Sequence, residues 1–287
     1  MVAVYPISWC IRMSNHARGP TGWQLEQNAS EAYEQYLVPP IFASWADRLV
    51  ETGEIQEGDR VLDLACGTGI VARRAASRVG NGGSVVGLDI NDGMLTVAAD
   101  TAADSHPSIE WRQGDAVDLP FPAKRFDVVC CQQALQFFDG PAAAVDEMRR
   151  VLTPEGRVAL SVWRPLDYQP AYAILADALE RHIGEAAGAM MRSPFPEWDS
   201  ENLRTLLQDA GFDDVSVTID IGSVRYPSVT EFVRREAASS PLAEPITAVD
   251  RERRDELVKK LEDSLHRYCD DEGIIFPMES YVVTADQ

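Results

Sequence analysis

The chain predicts a doubly wound α/β fold built on a mostly parallel, seven-stranded sheet. Short β-rich runs alternate with helical stretches of about ten residues, and the first run ends in the glycine turn Gly67-Thr68-Gly69. Alternation of this kind implies right-handed crossovers that cover both faces of a parallel sheet. With 287 residues, 45% of them hydrophobic and 25% charged, the chain can bury an ample core without a disulfide or metal staple.

Residues 1–28 read as a flexible lead-in, within which Met13 is a second possible start. From Ala29 to Val50, Tyr33, Tyr36, Leu37, Ile41, Phe42, Trp45 and Leu49 recur at helical steps, with Pro39-Pro40 breaking the stretch into two short helices. Strand Arg60 to Cys66, the glycine loop, helix Ile70 to Val79 and the turn Gly80 to Gly83 follow. Next come strand Ser84 to Leu88, helix Asp92 to Asp104, strands Ile109 to Gln113 and Phe126 to Cys131, helix Ala142 to Val151 and strand Arg157 to Val162. The α/β core, with its N-terminal helices, thus spans residues 29–163.

Residues 164–200 form an insertion with an amphipathic helix around Tyr172 to Ile183 and a small-residue patch from Gly184 to Gly188. The core resumes over 201–287, with a capped helix from Ser200 stopping at Gly211 and an alternating strand Val215 to Ile219. A charged helical insertion follows over 229–270, in which Leu257, Leu261 and Leu265 supply a buried stripe. Ser280 to Thr284 reads as a last strand, placed to pair with the preceding one as an antiparallel edge.

A formal charge of −20 repels phosphate backbones and anionic membrane surfaces, and no basic patch offsets it. Only Lys124, Lys259 and Lys260 are lysines, a bias that fits either a GC-rich genome or a salt-adapted proteome. The five cysteines include no CxxC pair and no zinc-spaced cluster, so reduced thiols, no metal site and a cytoplasmic location are expected. The apolar N-terminus is too short for a membrane span.

The informative stretch is Val61 to Gly69, where glycines let the backbone turn sharply after a buried strand and approach a ligand closely. Asp63 lies inside that strand, where a pyrophosphate-binding loop has no use for negative charge, and a carboxylate there suits a cationic ligand. Asp89 closes the next strand 20 residues beyond Gly69, the spacing that places an acid on ribose hydroxyls. Asp115 follows the third strand after Gly114. All three acids fall at the carboxyl ends of consecutive strands, the ligand-binding edge of an open α/β sheet.

With DLACGTG (63–69), GLDIN (87–91), GDAVDLPF (114–121), FDVVCCQQALQFF (126–138) and RVLTPEGRVAL (150–160), the sequence resembles the class I S-adenosylmethionine-dependent methyltransferases. Within them it is similar to the small-molecule group related to the quinone C-methyltransferases. The resemblance runs over residues 30–163 and, more loosely, 200–221. It implies a Rossmann-like methyltransferase fold, S-adenosylmethionine as cofactor and a small-molecule methyl acceptor enclosed by the helical insertions. It further implies that Asp63 and the Ala65-to-Gly69 loop, Thr68 included, with the backbone of Ala65, Gly67 and Gly69 foremost, hold the methionine part. Asp89 would take the ribose hydroxyls, Ile90 and Met94 would flank the adenine, and Asp115 with Gly114 and Ala116 would meet the adenine edge. Gln132 and Gln133 would sit near the sulfonium.

For Met94 and the two glutamines a purely structural role is the alternative. A general base is needed only if the acceptor still carries its proton, and the candidates are His182, His266 and Tyr36; for each, packing is the competing reading. No NPPY-type tetrapeptide follows strand four, which disfavours nucleic-acid and amide substrates, and the Arg-Asn that quinone-ring enzymes carry after strand four is absent, which argues against that specific substrate. A catalytically silent cofactor-binding regulator and an NAD-dependent oxidoreductase are the other function classes considered. The pattern leaves monomer and homodimer both open.

Overall fold

A computed structural model describes residues 29–240 and 242–287; the expected lead-in over 1–28 lies outside them. Helix α1 (Ala29–Tyr36) runs through a π-helical turn at Val38–Phe42 into α2 (Ala43–Thr52). Pro39 and Pro40 lack the amide hydrogens an α-helical ladder needs, so the chain widens there and Phe42 donates back to the Leu37 carbonyl at 3.4 Å.

The core then follows the expected alternation: β1 (Arg60–Leu64), α3 (Ile70–Val79), β2 (Ser84–Asp89), α4 (Asp92–Thr101), β3 (Ile109–Gln113), β4 (Phe126–Gln132), α5 (Pro141–Val151) and β5 (Leu152–Trp163). Helices α6 (Pro170–His182), α7 (Glu185–Arg192) and α8 (Ser200–Asp209) lead to β6 (Asp213–Tyr226). Helices α9 (Val229–Ala238), α10 (Ala243–Ala248) and α11 (Arg251–Leu265), the two-residue β7 (Cys269–Asp270) and β8 (Gly273–Asp286) complete the chain.

The strand order is β3-β2-β1-β4-β5-β8-β6, so seven strands form the main path and β7 adds an eighth by pairing with the start of β8. The strands from β3 to β5 are parallel, and β8 runs antiparallel to both its neighbours. The order reverses between β1 and β4, which opens a crevice at the carboxyl ends of these strands. Burial on both faces explains the near-continuous apolar runs of β1 and β2.

Register also explains a glycine. Gly87 of β2 lies opposite Trp111 of β3, and a Cβ on Gly87 would stand 2.3 Å from the indole. The same indole reaches the loop, where a Cβ on Gly69 would again meet it at 2.3 Å.

Three elements differ from the sequence expectation. The patch from Gly184 becomes the start of α7, whose Ala187 and Gly188 are buried. Strands β6 and β8 are each 14 residues long, far beyond 215–219 and 280–284. Trp163, the last residue of β5, pairs with Ser280, so the stretch Gly273 to Glu279 of β8 and its β6 partners project past the crevice edge of the sheet. One face of this stretch is buried, with Ile274, Phe276 and Met278 inward, but Ile275 and Pro277 make the other face apolar as well, so the apolar/polar alternation that identifies a half-buried strand does not show.

Around that projecting hairpin, α6, α9 and α11 pack into a cover lobe whose aromatic centre is Tyr172, Phe195, Tyr226, Phe232 and Phe276. Leu257, Leu261 and Leu265 of α11 are its buried stripe, as the sequence indicates. Within the lobe lies Glu236, 5% exposed, its Oε1 accepting from the Tyr172 hydroxyl at 2.7 Å and the Tyr226 hydroxyl at 3.1 Å. Burial pushes its carboxyl up to about 7, with the two phenols partly opposing the shift.

A carboxyl whose folded pKa exceeds its unfolded value favours the protonated folded state, so stability declines as pH rises from the unfolded value toward about 7. Glu236→Gln keeps both phenol contacts and cannot ionise. Urea denaturation should show the variant gaining on the wild type by on the order of 1–3 kcal/mol between pH 5 and pH 8. A pH-independent difference would show that Glu236 carries no such penalty.

Candidate active site

The loop after β1 is wound by three left-handed residues, Ala65 (φ +54°), Gly67 (φ +54°) and Gly69 (φ +82°), alternating with Cys66 and Thr68. Two carboxylates hold it. Asp63, 1% exposed, accepts from the Ala72 amide of α3 at 2.8 Å, so its carboxylate lies beneath the loop. Asp89, 8% exposed, accepts from the Gly67 amide at 2.8 Å and, through its other oxygen, from the Asn91 amide at 2.9 Å. Burial pushes Asp63 up to about 8 and raises Asp89 as well, while backbone hydrogen bonds oppose both shifts. The Cys66 amide adds a third tie, to the Leu88 carbonyl.

Beyond Asp89 the side chain of Ile90 stands 47% exposed, unusual for so large an apolar group and suited to an aromatic ring. Asn91 caps α4 by accepting from the amides of Gly93 and Met94, which leaves Met94 half-buried in its first turn. The Gly114 amide donates to the Asp89 carbonyl, joining the β3 end to the β2 end. Asp115 is exposed, its Oδ1 accepting from the Val117 amide, and Ala116 is buried beside it. The ends of β1, β2 and β3 therefore bring together the acids and loop residues expected from the sequence.

Helix α1 is strapped over this loop. Glu34 accepts from the Thr68 hydroxyl at 2.5 Å and from the Arg73 guanidinium at 2.8 Å, while Arg73 also donates to the Thr68 carbonyl. Tyr33 lies against Gly67, and burial with the nearby Asp89 raises its hydroxyl pKa. Glu34 escaped the sequence reading because a polar residue on an amphipathic helix has no local signature of its partner.

On the other side of the switch point, Gln132 at the end of β4 donates to the Phe42 carbonyl at 3.2 Å. Gln133, in the left-handed region at φ +52°, donates to the Ser280 hydroxyl at 2.9 Å. Tyr33, Phe42 and Trp163 form a run of rings with centroid separations of 5.1 and 6.4 Å.

The candidate bases sit elsewhere. Tyr36 lies under the guanidinium groups of Arg234 and Arg235, in the seam between α1 and α9. His182 faces Glu256 across the α6–α11 seam at 3.9 Å, and His266 is exposed in the turn after α11. The thiols of Cys130 and Cys131 are buried and their pKa values raised, which leaves them inert. Among the described residues no cluster could hold a metal ion.

This geometry, with acids at three strand ends and a backbone-lined turn, is matched by comparison with known proteins. A family profile described as a methyltransferase domain matches residues 61–156. The ubiquinone/menaquinone biosynthesis C-methyltransferase UbiE of Pseudomonas putida is 35% identical over 184 residues, covering 60% of this chain and 72% of that protein. The chain belongs to the S-adenosylmethionine-dependent methyltransferases.

A 2-phytyl-1,4-naphtoquinone methyltransferase of Synechococcus elongatus is 34% identical to this methyltransferase, over 63% of this chain and 78% of the relative. The crystal structure of the YcgJ protein from Bacillus subtilis shares the fold, with a TM-score of 0.56 at 19% identity, over 85% of this chain and 98% of that one. Family membership sets aside the nicotinamide-dependent alternative. The cofactor is S-adenosylmethionine, and the site fits it: exposed Ile90 beside the Asp89 carboxylate suits an adenosine, and the acids of the crevice suit a cation.

Asp89→Ala should weaken S-adenosylhomocysteine binding at least about tenfold in calorimetric titration, because it removes the tie that sets Gly67 together with the acid expected to meet the ribose. Glu34→Ala frees α1 from Thr68 and Arg73 and should speed release of S-adenosylhomocysteine about three- to tenfold in stopped-flow, at unchanged thermal stability of the core. Release at the wild-type rate would show that the strap does not gate the site.

Proposed function

We propose that this methyltransferase methylates a planar, oxygen-bearing ring metabolite of the quinol type, held between the cofactor crevice and the cover lobe. The observation that carries the reading is the run of rings Tyr33, Phe42 and Trp163, which leads from Gly67 of the cofactor loop to the end of β5 beside Gln132. The three rings pack on one another, and the part-exposed Tyr33 and Phe42 present an aromatic surface along which a flat ring can lie. The printed names of the two relatives, both quinone methyltransferases, support the same class. The charge of −20 disfavours a nucleic-acid acceptor, and among the described residues no helix is long and apolar enough to cross a membrane.

In this reading the backbone of Ala65, Gly67 and Gly69 receives the methionine part, with Asp63 supporting the loop from below. Asp89 takes the ribose hydroxyls, Ile90 and Met94 flank the adenine, and Asp115 with Ala116 meets its edge. Gln132 and Gln133 border the transferable methyl group. When bound, S-adenosylmethionine supplies a methyl group activated on a sulfonium. The protein's contribution is alignment and exclusion of water: α1 closes the loop side, and α6, α9 and the β6–β8 hairpin close the acceptor side. Tyr36, His182 and His266 are given no proton-transfer role here, since helix seams or solvent already account for their positions.

The reading is checked by incubating the enzyme with methyl-labelled S-adenosylmethionine and reduced 1,4-naphthoquinone, with phosphoethanolamine in parallel. Label should appear in the extracted ring product and not on phosphoethanolamine. Transfer to the amine alone would overturn the ring acceptor while leaving the methyltransferase intact.

A further inference from the structure

Alternation along β5 sends Ala159, Ser161 and Trp163 to the face covered by the N-terminal and cover-lobe helices, and Leu160 and Val162 to the other. On β4, Cys130 faces the same side, and so does Gln132, whose amide nitrogen reaches Phe42 there. Gln132 and Ser161 are register partners, so two polar side chains stand next to each other among Cys130, Ala159, Trp163 and Val282.

Neither is satisfied. Ser161 is 2% exposed, and its hydroxyl has no partner among the described residues; the same holds for the buried Oε1 of Gln132. Buried polar atoms carry a desolvation cost that a partner must offset, so an orphaned pair side by side marks a place where a polar ligand group fits. Its position suits the reacting end of the crevice, because Cys130, two residues before Gln132, is the register partner of Asp63. The strand end is held firmly: the Gln133 amide donates to the Ser161 carbonyl at 2.9 Å, and the Gln133 side chain is tied to Ser280.

We propose that Ser161 and Gln132 read an oxygen substituent on the acceptor ring. The Ser161 hydroxyl donates to a ring hydroxyl, and that hydroxyl donates to Gln132 Oε1, while the aromatic surface of Phe42 and Trp163 borders the ring on one side. One neutral hydroxyl satisfies both orphaned atoms, which a hydrocarbon ring cannot do. This assignment rests on the planar-ring reading above and adds which acceptor atoms the protein recognises.

The test uses the full chain saturated with S-adenosylhomocysteine and titrated with two ring probes, 1-naphthol and naphthalene. The wild type should prefer 1-naphthol by at least about tenfold, Ser161→Ala should reduce that preference to below about threefold, and Ser161→Thr, which keeps the hydroxyl, should retain it. Affinity for S-adenosylhomocysteine should stay within about twofold in all three proteins, since the tie from Ser161 to Gln133 is made by its backbone carbonyl and survives both substitutions. Equal affinity for the two probes, or an undiminished preference in Ser161→Ala, would overturn the inference and leave the pair holding ordered water only. Loss of S-adenosylhomocysteine binding in Ser161→Ala would overturn it too, making Ser161 a support of the fold. Failure of both probes to bind a wild type that binds S-adenosylhomocysteine would instead remove the ring-acceptor reading on which the inference stands.

Discussion

Two carboxylates buried at the ends of neighbouring strands accept from the Gly67 amide of the glycine loop and from the amides of Ala72 and Asn91 beside it, and the rest of the site depends on that hold. Asp63 grips the start of α3 through Ala72, and Asp89 grips Gly67 and Asn91, so β1, β2, α3 and α4 meet at one point. Each of these hydrogen bonds is worth about 0.5–1.5 kcal/mol, and together they offset the left-handed backbone at Ala65, a residue with a Cβ. Because the loop is set this way, Thr68 is presented to Glu34, and α1 can be strapped across the crevice. Trp111 wedges against Gly69 and Gly87 from the β3 side and leaves the loop no room to relax.

The side of the crevice beyond β4 is built by a different device. β8 inserts antiparallel between β5 and β6 and, with β6, continues past the last residue of β5, so the sheet itself supplies the stalk on which the cover lobe stands. The lobe's helices come from the two segments flanking β6 and enclose an aromatic core with one carboxyl, Glu236, shared by two phenols. Its Ser239 hydroxyl also bonds the Ala32 carbonyl of α1, so the strap over the glycine loop and the cover lobe are physically joined.

Much of this was legible in the sequence because it rests on local pattern. The strands β1 to β5, the glycine loop, the three strand-end acids and the leucine stripe of α11 each occupy consecutive or regularly spaced positions. What escaped is long-range. Glu34 acquires meaning only from Thr68, 34 residues away, and Ser161 only from its register with Gln132. Glu236 reads as one charge in a charged helix until Tyr172 and Tyr226 enclose it. The lengths of β6 and β8 escaped because their outer halves bury one face, Val224, Tyr226, Ile274, Phe276 and Met278, against a lobe built from distant segments, while Ile275 and Pro277 make the other face of β8 apolar too, so no apolar/polar alternation shows in the sequence.

The sequence by itself determined the crossover fold, the cofactor loop and the kind of ligand it receives, because strand period, left-handed glycine positions and strand-end acids are each written within a few residues. Only the tertiary structure decided which side chains close the site. The direction of Asp63 beneath the loop, the strap through Glu34, the seating of Tyr36 and His182 in helix seams and the orphaned pair at Ser161 and Gln132 all follow from packing between distant segments. Burial and partner geometry arise only when those segments meet, so no local pattern encodes them.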